Sequence, residues 1–214
     1  MGFIGFLGFG YVRGFEASLS LLIRDVFEVV TSYGLTVVPL FVFMGQIAFY
    51  SGISRRLYDS AFVIIGNRPG GLAIATVGAC AGFSAISGST NATAATMAAV
   101  TLPEMRRHDY DLGLATGTVA AAGSLGILIP PSVIFIVYGI LTEQSIGKLF
   151  AAGVLPGLLL SALFIATIYI RVRRNPSLAP AGPATQSKEK LKSLFGIIET
   201  LVIFGLVMGG IFFG

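Results

Sequence analysis

From Gly71 to Pro103 the chain runs for 33 residues without one charged side chain, and the later part, GFSAISGSTNATAATMAAVTLP (82–103), is crowded with Gly, Ser, Thr and Asn. A helix crosses the hydrocarbon of a bilayer with about 20 apolar residues, so the run is too long for one span and too short for two spans and a loop. Two half-length helices joined at a tip fit the length. The tip falls at Ser87–Asn91, between arms over about 71–86 and 92–103. Hydrocarbon offers no water to backbone N–H and C=O groups, so such a break survives at membrane depth only inside protein or beside a water-filled cavity. A re-entrant hairpin of this kind turns helix ends, carbonyls and hydroxyls toward one point. That point suits a small cation and an anionic solute.

Composition agrees with a membrane setting: 55% of the 214 residues are hydrophobic, 11% are charged, and the mean hydropathy is +0.88. These values belong to polytopic helical membrane proteins. With Cys80 the single cysteine and His108 the single histidine, disulfide frameworks and multi-Cys/His metal sites are excluded within the chain. GFSAI at Gly82–Ile86 lacks the second glycine of a nucleophile elbow, so no enzyme activity is expected. The basic residues flank apolar runs, where they report topology, and nucleic acid is not an expected partner. MGFIGFLGFGYV has no basic residue before it and is shorter than a span. It is expected to be the end of a transmembrane helix rather than a signal peptide, and the chain to be a fragment.

The remaining segments order themselves around the hairpin. Residues 13–30 place Arg13, Glu16, Arg24, Asp25 and Glu28 so that one helical face stays apolar, which predicts a helix on the membrane surface. Residues 31–50 read as a span containing Pro39, and 51–71, with Arg55, Arg56, Asp59 and Arg68, as a second surface helix ending in a turn at Asn67–Gly71. PEMRRHDYD (103–111) is expected to be a surface loop. Residues 112–141 form a span broken at GSLGILIPPS, where glycines and Pro130–Pro131 disfavour helix. Residues 145–170 and 195–213 are spans, joined by a flexible basic loop at 171–194. Three regions follow: 1–70 as scaffold, 71–141 as the hairpin and broken helix that form a transport element, and 142–214 as spans joined by the basic loop. With the hairpin entering and leaving on one side, 11 of the 14 basic residues share a face. That face is cytoplasmic by the positive-inside rule. A single crossing at 71–103 gives a split nearly as lopsided, so length rather than charge supports the hairpin.

GSTNAT at Gly88–Thr93, LPEM at Leu102–Met105, GILIPPS at Gly126–Ser132 and SIGKLFAAGVLPGLLL at Ser145–Leu160 together resemble the large membrane subunit of tripartite ATP-independent periplasmic (TRAP) transporters. VPLFVFMGQI at Val38–Ile47 and the SGIS that follows agree. The resemblance implies an all-α polytopic fold, one half of an inverted-repeat, elevator-type secondary transporter of the bacterial inner membrane. It implies sodium symport of an organic anion, a small membrane subunit and a periplasmic solute-binding protein as partners. Where the family has a serine-rich tip this chain has Thr90 and Asn91, which keep oxygen ligands.

Hard cations take oxygen ligands, so the tip and the second break are the candidate sodium site: Ser87, Gly88, Ser89, Thr90, Asn91, Gly126, Ile129 and Pro130. Ser89, Asn91, Thr93 and Ser132 are the candidate contacts to solute. The plainer reading gives these small residues only a packing role between helices. A passive channel or scaffold with a static re-entrant loop, or an inactive truncated permease, are the competing functional readings.

Overall fold

The computed structural model describes residues 2–31, 33–182 and 187–213, and all regular structure among them is helical. Two compact units divide near Pro39. In the first, α1 (Gly2–Arg13) and α2 (Phe15–Thr31) fold back on each other at Gly14, whose φ of +95° favours glycine. The Ser18 hydroxyl donates to the Phe6 carbonyl at 2.8 Å, and Phe6 meets Phe15 edge to face.

The second unit begins within α3 (Tyr33–Tyr50) and continues through α4 (Ile53–Ile65), α5 (Gly71–Ser87), α6 (Thr90–Arg107) and α7 (Leu112–Gly123). A 3-10 turn over Ser124–Ile127 precedes α8 (Val133–Leu141), α9 (Ile146–Arg174) and α10 (Ser187–Phe213). Helix α5 is the centre. Leu72, Ala73, Ala75, Val77, Ala79, Cys80, Phe83 and Ile86 are all buried, and α4, α6, α7, α9 and α10 pack around it. A helix buried on nearly every side needs small residues to admit its neighbours, which the alanines and glycines of GLAIATVGACAG supply. Helix α4 is amphipathic as expected, burying Ile53, Leu57 and Tyr58 while Arg55 and Arg56 face out.

Helix α6 starts earlier and ends later than its predicted arm, running through Pro103 to Arg107. The predicted surface loop 103–111 is correspondingly shorter. Met105 and Tyr110 are buried, and the Tyr110 hydroxyl accepts the Leu72 N–H at 3.1 Å, capping α5. Asp111 caps α7 through its carboxylate and the Leu114 N–H. A second correction concerns 171–194. Helix α9 continues to Arg174 and α10 is helical from Ser187, while the stretch between is tied down as far as it is described. Gly70 N–H donates to the Ala179 carbonyl, Gly182 N–H to that of Gly66, and Asp111 N–H to that of Leu178. These bonds fix the segment to the turn before α5.

Among the described residues α9 is the one helix long and apolar enough to cross a membrane; Val38–Tyr50, Gly71–Ser87, Leu112–Ile127 and Ile197–Ile211 are shorter apolar helical stretches.

Candidate functional site

The two breaks read from the sequence meet in space. Helix α5 ends at Gly88, whose φ of +59° is left-handed and whose carbonyl accepts the Val133 N–H at 3.4 Å. A Cβ on Gly88 would lie 2.8 Å from the Pro131 carbonyl oxygen, and one on Gly126 would lie 2.6 Å from that of Ser89. Backbone therefore touches backbone on both sides of the tip, which glycine alone allows without a shift. Gly123 repeats the device against Ala94 one turn along α6, and Gly45 of α3 approaches the Ser87 carbonyl from another direction.

The second break is held by α9. Gly153, Gly157 and Ser161 are buried at every fourth position, and Gly153 lies against Phe135 and the Leu128 carbonyl while Gly157 lies against Ile129. The Pro130–Pro131 bond is cis. Without these contacts the segment between the 3-10 turn and α8 would have neither helix nor strand to hold its path.

The result is a convergence of helix ends. The N-termini of α6 and α8 and the C-terminal ends of α5 and of the 3-10 turn after α7 come together around Gly88–Thr90, Gly126 and Pro131–Val133. N-terminal ends carry partial positive charge and C-terminal ends partial negative charge, so the junction offers a lining for an anion and another for a cation.

The hydroxyls divide into two kinds. Ser87 Oγ and Thr93 Oγ1 are buried and bond each other at 2.7 Å, and Ser89 Oγ accepts the Ala92 N–H at 3.4 Å as the N-cap of α6. Thr90 Oγ1 and Ser132 Oγ are buried with no hydrogen-bond partner. Ser132 is wholly buried in the extended residue before α8, and Thr90 opens α6 across the junction. An unpartnered buried hydroxyl is unfavourable by about 1–3 kcal/mol, and Thr90 and Ser132 are two of the five such hydroxyls among the described residues. Asn91 is exposed, whereas Ile129 packs on α9 and Pro130 is buried. None of the ten candidate residues carries an ionisable side chain. Sequence reasoning read Gly123 only as a helix breaker and passed over Gly153 and Gly157, whose spacing looks like ordinary helix packing until the break is seen resting on them.

Apolar helices interrupted in mid-run and joined break to break make an all-helical chain of the kind found in polytopic membrane proteins. The family described as the tripartite ATP-independent periplasmic transporter, DctM component, matches residues 1–214. The chain belongs to that family. A C4-dicarboxylate TRAP transporter large permease protein of Pseudomonas aeruginosa is 41% identical over 197 residues, covering 92% of this chain and 46% of the relative. An ectoine/5-hydroxyectoine TRAP transporter large permease protein of Ruegeria pomeroyi is 32% identical, covering 97% and 49%. A sialic acid TRAP transporter permease protein of Haemophilus influenzae is 34% identical, covering 85% and 30%. The chain spans about half or less of the length of these relatives.

Proposed function

We propose that this chain is the hairpin-bearing half of a sodium-coupled permease that imports an organic anion across the bacterial inner membrane. A periplasmic binding protein delivers the solute and a small membrane subunit completes the assembly. In this reading α5 and α6 form a re-entrant hairpin, α7 and α8 form the broken helix, and the pair is one of two inverted repeats in a domain that moves as an elevator. The carrying observation is the meeting of the two breaks with Thr90 Oγ1 and Ser132 Oγ buried and unpartnered. Sodium takes hydroxyl and carbonyl oxygens without needing a carboxylate, and the C-terminal ends of α5 and the 3-10 turn add partial negative charge. Ser87 and Thr93 bond each other and brace the tip, and the lone pairs left on the Ser87 hydroxyl remain available to the ion. The N-termini of α6 and α8 suit the anionic group of the solute, with Ser89 and Ser132 nearest to it. Relatives named for C4-dicarboxylates and for sialic acid support that class of solute. Each charge carried across a potential of 100 mV contributes about 2.3 kcal/mol, enough to drive accumulation.

The test is solute uptake by proteoliposomes holding the whole permease with its partners. Thr90→Val and Ser132→Ala should each raise the sodium concentration for half-maximal uptake by about tenfold, a loss of about 1.4 kcal/mol, while solute uptake at saturating sodium survives in Thr90→Val. Uptake that ignores the sodium gradient would sink the proposal in favour of a passive pore.

A further inference from the structure

Away from the junction, a crevice of about 280 Å³ opens between α4 and the C-terminal part of α6. Its polar lining comes from Arg55, Tyr58 and Asp59 on α4 and Glu104 on α6, and Val100 and Pro103 form an apolar wall. Ligand pockets for drug-sized molecules begin near 300 Å³, so this one takes a small group.

Three features point to a zwitterion. Tyr58 is 2% exposed, yet its hydroxyl has no hydrogen-bond partner. A buried phenol without a partner is a vacant donor and acceptor, and Tyr58 is among the residues that line the crevice. Arg55 and Asp59 lie one turn apart on α4, and neither belongs to the ion pairs found among the described residues, Arg56 with Glu199 and Arg107 with Glu104. Finally, partial desolvation raises the Asp59 carboxyl above its ordinary range, with Glu104 adding to the rise and Arg55 opposing it. Burial and Glu104 also hold the Tyr58 hydroxyl protonated. The charged groups acting on Asp59 are thus Arg55 from its own helix and Glu104 from α6, which pairs with Arg107, and Tyr58 in turn feels Glu104, Tyr110 and Asp59. A lone anion would meet Asp59 and Glu104, and a lone cation would leave Arg55 and the phenol unused. A phosphate joined to an ammonium by a short linker answers both.

We propose that this crevice binds the headgroup of an aminophospholipid of the phosphatidylethanolamine type, with its phosphate on Arg55 and the Tyr58 hydroxyl and its ammonium between Asp59 and Glu104. The source is the membrane, because α4 is amphipathic and Val100 and Pro103 give the crevice an apolar wall beside its charged groups, which suits the junction of headgroup and glycerol. The site rests on the reading of α4 as a membrane-surface helix, and otherwise stands apart from the sodium junction.

The experiment compares thermal unfolding of the full-length permease in nanodiscs of phosphatidylcholine alone and of phosphatidylcholine mixed with phosphatidylethanolamine, alongside native mass spectrometry of retained lipid. Choline has the same phosphate but no N–H to donate. The wild type should unfold at a higher temperature with ethanolamine lipid present and should retain it at least fivefold over choline lipid. Asp59→Asn combined with Glu104→Gln, and separately Arg55→Gln, should lose both preferences, whereas Arg55→Lys should keep part of each. A general effect of ethanolamine lipid on the bilayer would persist in every variant and would overturn the assignment. Equal behaviour of the wild type in the two discs would overturn it too, as would full reproduction of the shift by soluble glycerophosphoethanolamine in choline-only discs. Sodium-dependent uptake, measured separately, reports on the transport reading whichever way the lipid result falls.

Discussion

Gly126→Ala is the sharpest perturbation of the junction. Gly126 is buried in the 3-10 turn, and a Cβ there would sit 2.6 Å from the Ser89 carbonyl oxygen, 2.7 Å from its carbon and 2.8 Å from the Thr90 nitrogen. All three atoms are backbone, so no side-chain rotation relieves the overlap. The tip and the turn must separate by roughly 0.8 Å to reach ordinary contact, which loosens the packing on both sides. Overpacking of this kind typically destabilises by about 1–3 kcal/mol. Gly78 and Gly117 provide the contrast, since a Cβ on either meets nothing within 4 Å and alanine in a helix is favoured over glycine by about 1 kcal/mol. Thermal unfolding of the full permease in nanodiscs should therefore show Gly126→Ala well below the wild type, with Gly78→Ala and Gly117→Ala level or above. The same Gly126→Ala protein should need several-fold more sodium for half-maximal uptake, because the Thr90 side of the junction has moved from the Ser132 side. Wild-type stability and sodium response in Gly126→Ala would refute the claim that contact between the breaks sets the site.

Ser87→Ala strands the Thr93 hydroxyl in a buried position and should lower stability by about 1–3 kcal/mol, whereas Ser87→Ala with Thr93→Val should recover much of the loss in the same unfolding assay. Single cysteines at Asn67 and Asp109, in a Cys80→Ser background, should label with an impermeant reagent only from the cytoplasmic face. Labelling from opposite faces would make residues 71–103 a single crossing and end the hairpin reading.

The break between α5 and α6, the second break and the amphipathic α4 were legible because each leaves a mark on side-chain chemistry. An uncharged run too long for one span, a Ser/Thr/Asn tip, a Pro–Pro pair and arginines at helical spacing are all local in the sequence. The ordering of 175–182 was hidden for the opposite reason. It rests on main-chain bonds from Gly70, Gly182 and Asp111 to Ala179, Gly66 and Leu178, and an amide donor has no sequence signature. Tyr110 looked like one more polar residue in a charged loop, and only its bond to the Leu72 N–H shows it as the cap of α5. Within the site, the sequence ranked its oxygens together. Ser87 and Thr93 pair across the tip, six residues apart, whereas Thr90 and Ser132 are left over where two segments about forty residues apart in the chain approach each other.

That division of labour predicts the response to pH. The oxygens offered at the junction belong to hydroxyls and carbonyls, none of which titrates near neutrality, and the candidate residues include no Asp, Glu or His. In the proposed site protons therefore have no carboxylate through which to compete with sodium. The half-saturating sodium concentration should stay level from about pH 6 to about pH 9 in proteoliposomes, where a carboxylate site with a raised pKa would weaken about tenfold for each unit of pH below that pKa. A tenfold loss per unit on acidification would mean that a carboxylate shares the ion. Asp59 and Glu104 belong to the separate crevice between α4 and α6, so Asp59→Asn and Glu104→Gln should leave the level profile unchanged.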